Sequence, residues 1–241
     1  MALLNIQDVY LFVYDVALNK NQAGQITDST FNEAIAIINI DLFRKYAGLP
    51  EDYQVGRPIP SIGWQNSNIL SDDLRNFIVT TPIQRAGNNY FPYPSDYAVF
   101  SSITYDYVQN GTCATPGDYA VIPLENLTDD QIRTRVISTI KPPSFDYPVF
   151  TWNQLGFEVY PKQISQINLT YLQVPPTPYR DFTQLPNGQT VYNPAGLTVQ
   201  FAWPQTMLPN ICTRVALMFG ISIREDAVVQ WMNKQIEKGS L

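Results

Sequence analysis

Apolar residues recur every three or four positions at both ends of this chain and lose that spacing in between. Over residues 5–19, Ile6, Val9, Tyr10, Phe12, Val13, Val16 and Ala17 form the broad stripe of an amphipathic helix. A polar linker, 20–25, carries Gly24, and beyond it Thr27 or Ser29 is placed to cap a second helix. That helix repeats Phe31, Ala34, Ile35, Ile38, Leu42, Phe43 and Tyr46 at helical spacing and stops at Gly48 and Pro50. After a loop with Pro58 and Pro60, a shorter helical segment is predicted from about Ser71, with Asp72 and Asp73 at its positive end and Leu74, Phe77 and Ile78 as its buried face.

From Thr80 the texture changes. Prolines from Pro82 to Pro178 interrupt runs rich in Val, Ile, Thr, Tyr and Phe, which excludes long helices and favours strands. Strands are expected at 97–107, 118–123, 149–152, 156–160, 166–174 and 198–203; Ile167, Leu169 and Tyr171 alternate with Asn168, Thr170 and Leu172. One helix interrupts them at 127–139, capped around Thr128, with Ile132, Val136 and Ile137 on one side. Helical spacing returns after Pro209 in Ile211, Val215, Ala216, Leu217 and Phe219 up to Gly220. It continues over 226–238 in Val228, Val229, Trp231, Met232 and Ile236. The expected fold class is therefore α+β. A helical bundle is formed by the N- and C-terminal helices (1–80 and 205–241), with an inserted β-sandwich-like domain (81–204).

Composition sharpens this. With 241 residues and 45% hydrophobic content the chain can build a core without covalent staples. Cys113 and Cys212 match no metal or redox spacing and read as unpaired thiols. The first eight residues lack the basic and apolar runs of a secretory signal, and no stretch of about 18 apolar residues marks a membrane span, so a soluble species is expected. A net charge of −6 opposes affinity for phosphate backbones. It would suit a conduit past which DNA slides, but it is first of all the ordinary condition of soluble proteins.

Candidate chemistry is sparse. The chain has no histidine, which removes Ser-His-Asp, Cys-His and His-metal arrangements within it. Neither a phosphate-binding loop nor a G-x-G-x-x-G turn is present. Asp96, Asp106, Asp118, Glu125, Asp146 and Glu158 lie among aromatics and could supply a glycosidase pair, or simply be surface carboxylates. Phe91, Tyr93, Tyr97, Tyr105, Tyr107, Tyr147, Phe150, Trp152 and Tyr160 could form a sugar platform, or the core of a sheet. Tyr93, Phe91, Trp64 and Trp231 are candidate interface anchors and candidate core residues alike. The sequons at Asn110, Asn126 and Asn168 carry no weight without export. No catalytic, cofactor-binding or metal-binding residue is assigned, and no cofactor is expected.

Three stretches resemble the head-to-tail connector (ring, adaptor or neck) proteins of crAss-like and related short-tailed bacteriophages. The first is Asn19-Lys20-Asn21-Gln22-Ala23-Gly24-Gln25-Ile26-Thr27 followed by Phe31-Asn32. The second is Pro94-Ser95-Asp96-Tyr97. The third runs from Lys141-Pro142-Pro143, Tyr147-Pro148 and Val159-Tyr160-Pro161 through Leu169-Thr170-Tyr171 and Pro175-Pro176 to Phe201-Ala202-Trp203-Pro204. Two positions depart from the pattern: Thr30 stands where an acidic residue is expected, and Asp28 where a proline is. The resemblance implies a structural virion protein rather than an enzyme, forming a homo-oligomeric ring of about twelve copies at the head-tail junction. It would be made in the host cytoplasm and touch the portal and other tail or neck rings. DNA would pass through the lumen without specific binding, and no membrane is involved. The alternative is a tail fibre or a carbohydrate-binding or depolymerising tail component.

Overall fold

The computed structural model describes residues 3–19, 26–48, 72–87, 90–107, 120–186 and 190–219. Outside them lie the linker 20–25, the loop with Pro58 and Pro60, Trp64, Asn110, Cys113, Asp118 and the helix expected over 226–238 with Trp231. The chain is mixed α and β. Its helices are α1 (Ile6–Asn19), α2 (Asp28–Tyr46), α3 (Asp129–Ile137) and α4 (Leu208–Met218). Its main strands are β1 (Ile78–Gln84), β2 (Tyr90–Pro92), β3 (Tyr97–Tyr107), β4 (Ala120–Pro123), β5 (Glu125–Asn126), β6 (Val149–Asn153), β7 (Gly156–Tyr160) and β8 (Gln166–Gln173). They fall into two compact units, one drawn from Met1–Asn76 with Pro175–Leu241, the other Phe77–Val174.

In the first unit, α1 buries Ile6, Val9, Phe12 and Val13, and α2 buries Phe31, Ala34, Ile35, Ile38, Leu42 and Phe43. Thr27 caps α2. Thr30 N–H donates to Thr27 Oγ1 at 3.2 Å and Thr27 N–H to Thr30 Oγ1 at 3.0 Å, so Thr30 closes the capping box that an acidic side chain commonly closes. α4 starts with Pro209 in its first turn and packs Leu208, Ile211, Cys212, Val215 and Ala216 among α1 and α2. Leu217, expected on the buried face, is solvent-exposed; Cys212 takes the place in the core. Burial and the nearby Asp8 carboxylate push the Cys212 thiol up.

Arg180 is buried with its charge. Its guanidinium pairs with Asp28, donates through Nε to Gln7 Oε1 at 2.8 Å and stacks 3.8 Å from the Tyr10 ring centre. Asn32 on α2 fixes the backbone of Arg180 from both directions, accepting its N–H at 2.9 Å and donating to its carbonyl at 3.0 Å.

The segment 198–203 is not the expected strand. It makes a single bridge between Val199 and Tyr179, and Pro204 a second with Leu3. Side chains meet its backbone and rings instead of a ladder: Asn76 Nδ2 donates to the Ala202 carbonyl at 2.8 Å, and Trp203 Nε1 donates to Asn39 Oδ1 at 2.8 Å. Phe201 and Trp203 are fully enclosed, so aromatic content here reports docking rather than pairing. A hairpin of Phe182–Gln184 and Thr190–Tyr192 precedes it.

The second unit holds two four-stranded sheets, ordered β1-β8-β3-β4 and β2-β7-β6-β5. All pairs are antiparallel except β5 with β6. Both sheets contribute to one core: Ile83, Ile103, Tyr105, Ile167, Leu169 and Tyr171 from the first, Phe91, Phe150, Phe157 and Val159 from the second. The run Ile78-Val79-Thr80-Thr81 is strand rather than the end of a helix, because β-branched side chains suit the pleat; helix is confined to a turn at 72–74 and a 3-10 turn at Arg75–Phe77. Pro82 is tolerated since β1 is an edge strand. In β3, register shifts between Tyr97 and Val99 and between Phe100 and Ser102 each flip the alternation once. Tyr97, Phe100, Ile103 and Tyr105 therefore all face the same core. On α3 only Ile132 is buried; Val136 and Ile137, expected beside it, point to solvent.

Candidate functional site

Of the six candidate carboxylates, four have partners of their own. Asp96 accepts from the Tyr171 hydroxyl at 2.8 Å, Glu158 from the Tyr160 hydroxyl at 2.6 Å, and Asp106 from Asn168 Nδ2 at 3.1 Å. Glu125 lies 4.0 Å from Arg135. Asp146 is exposed, and Asp118 is outside the described residues. The tyrosines on the other side of these bonds feel them. The Tyr160 phenol is pushed up to about 12, by burial first and then by the Glu158 carboxylate; Tyr171 rises for the same two kinds of reason. Asp96 and Glu158 hold tyrosine hydroxyls in place, which is a structural task, whereas Asp106 and Asn168 meet at the edge of a cavity.

The aromatic residues form a connected series across the core of the second unit. Tyr171 and Tyr97 have ring centres 5.7 Å apart, Tyr97 and Tyr93 5.1 Å, Tyr93 and Phe157 4.8 Å, Phe157 and Trp152 5.2 Å, and Trp152 and Phe100 5.0 Å. Burial pushes the Tyr93 and Tyr97 phenols up. Phe91 and Phe150 are enclosed, so Phe91 is core and not an interface anchor. Tyr93 is half-buried and its hydroxyl donates to the Asn153 carbonyl at 2.9 Å. Trp152 and Tyr147 are the exposed members of the candidate aromatics with described side chains.

Among the described residues, concave features in both units and one protrusion remain. A cavity of about 340 Å³ in the second unit is floored by Tyr105 and Phe145 and rimmed by Asp106, Asn168, Gln163 and Gln166. One carboxylate and several amides over aromatic rings match the chemistry that holds a polyhydroxylated molecule. In the first unit, a groove of about 350 Å³ runs along α2 between Ser29, Asn32, Glu33 and Ala36 on one side and Tyr179 and Phe182 on the other. Ile37 and Ile40, on the outward side of α2, are also solvent-exposed. The protrusion is the loop 138–147, where Ile140 is 94% exposed, next to Ile137 at 79% and Tyr147 at 60%. Ser138 Oγ accepts from the N–H groups of Ile140 and Lys141, both at 3.3 Å, and Ser144 and Tyr147 exchange backbone bonds at 3.4 and 3.2 Å. Lys141 Nζ sits 5.3 Å from the Tyr147 ring centre.

Sequence reasoning missed both the groove and the protrusion. Ile37 and Ile40 fall outside the inward stripe of α2, and that departure was the available signal for an outer apolar face. Helical spacing puts Ile137 on the side of Ile132, yet Ile132 is buried and Ile137 exposed.

Among the described residues, no group of three or more Cys, Asp and Glu side chains is arranged to hold a metal ion. No helix among them is long and apolar enough to cross a membrane. No family model matches the chain, and no curated protein matches it.

Proposed function

We propose that this chain is a structural virion protein: a ring-forming adaptor that links a phage portal to the tail and forms part of the DNA conduit. The observation that carries the reading is the discontinuous build. Residues before 77 and after 174 share one compact unit, and the β-rich stretch between them forms another. That stretch begins and ends on paired strands, Ile78 opposite Leu172, so the chain leaves and returns at neighbouring points. The finer architecture within this reading is a helical bundle made by both chain ends with a β-sandwich-like insert, the arrangement implied by the resemblance to connector proteins of crAss-like phages. An assembly protein needs surfaces more than reactive groups. The apolar protrusion on 138–147 and the outer face of α2 are such surfaces.

The test is the mass of the purified protein with and without the portal protein of the same phage, by native mass spectrometry. The expected result is a multi-copy complex on the portal. A protein that ignores a well-folded portal contradicts the reading.

The cavity over Tyr105 and Phe145 favours a second reading, a carbohydrate-binding tail component. That reading predicts a stable trimer indifferent to the portal, with a thermal shift on adding host-surface oligosaccharide that is lost in Asp106→Ala.

A further inference from the structure

We propose that the loop 138–147 of one copy docks into the α2 groove of a second copy, with Ile140 inserted and Lys141 set against Glu33. The contact rests on the ring reading above and specifies how neighbouring subunits would hold each other. Ile140 is almost completely exposed, yet its loop is held rather than loose: Ser138 caps its backbone, Ser144 and Tyr147 close it, and Pro142-Pro143 stiffen it. A rigid, exposed β-branched side chain loses little further freedom on docking, which is the property of an interface knob.

The groove is complementary in three respects. It is preformed, because Asn32 in its wall is fixed by both of its bonds to the Arg180 backbone. Its walls are apolar, Ala36, Tyr179 and Phe182, and α2 continues outward with exposed Ile37 and Ile40. A helix with apolar side chains on two faces is one that is covered on both. Its rim carries the exposed carboxylate of Glu33, and the residue beside the knob is the cation Lys141. In a chain of net charge −6, copies repel one another at long range, and an oppositely charged pair at the contact gives the approach its register. Knob and groove are different surfaces, so the contact is heterologous, the kind that generates rings.

A charge-swap cycle on the full-length protein tests this. Lys141→Glu and Glu33→Lys, each alone, raise about tenfold the concentration needed for half-assembly, on the portal or free in solution, and the double variant restores it. Ile140→Ser weakens assembly in either charge background. All three positions are exposed, so unchanged thermal melting confirms that each variant is folded. If the wild type assembles and the single variants assemble equally well, or the double variant stays as weak as the singles, this contact is overturned while the ring stands. If the wild type assembles under no condition, the ring and the contact fall together.

Discussion

Arg180 carries a full charge into a site sealed by Tyr10, Asp28, Gln7 and Asn32. Such a pair contributes modest net stability while intact, but removing one partner strands the other without water. Arg180→Met is therefore expected to cost about 3–5 kcal/mol, and Arg180→Met with Asp28→Leu to recover part of that, as read from urea denaturation. Asp28 opens α2, and this buried pairing is its physical use. A second residue-level expectation concerns pH. The Tyr160 phenol moves from 10.0 to about 12 on folding, so between those values the unfolded chain gives up a proton that the folded chain keeps. Its stabilisation is complete below pH 10.0 and is lost as pH rises to about 12, and Tyr93, Tyr97 and Tyr171 shift in the same direction. Denaturation midpoints should fall over that window, in step with tyrosinate absorbance. Tyr160→Phe should flatten part of the fall. The partners of Arg180 and Tyr171 were not legible beforehand, because hydrogen bonds between residues 75 or 152 positions apart leave no local pattern, whereas Glu158 and Tyr160 lie two positions apart on one strand.

Elements were legible where periodicity and burial agree. β3 and β7 have the bounds that the sequence predicts, α3 starts after its expected cap, and the inward stripes of α1 and α2 are the buried ones. Legibility failed where tertiary context decides. Pro82 hid β1 because an edge position cannot be read from composition, and Phe201 and Trp203 looked like strand residues although they dock through their side chains. The two register shifts in β3 are likewise invisible in sequence, yet they set which rings reach the core. Gly156 gives a direct check on the β6–β7 turn. It has φ +155°, and a Cβ there would fall on the carbonyl of Phe91, with the carbonyl carbon at 2.7 Å. Gly156→Ala is expected to destabilise the protein by about 2–4 kcal/mol and to loosen the pairing of β2 with β7, seen as early loss of the aromatic circular-dichroism signal of Trp152 and its neighbours.

At the scale of the whole molecule, the division into a unit built from both chain ends and a unit built from the middle follows from where apolar side chains find partners. Residue patterning along the chain puts the middle part at 81–204; the compact unit runs from Phe77 to Val174. Residues 175–204 carry the prolines and aromatics of the β region, but Arg180, Phe201 and Trp203 bury themselves in the unit that holds the helices, and alternation along a segment does not say which core it joins. The candidate surfaces were the least legible level, since an exposed isoleucine and a buried one look alike in sequence. The acidic balance gives a further expectation: DNA should not be retained by the assembled protein at physiological salt, because few clustered cations are available to release counterions. The most direct test of the adaptor reading is electron cryo-microscopy of the full-length protein bound to its portal. The account predicts a closed ring of identical subunits coaxial with the portal; isolated trimers lying free of it would contradict it.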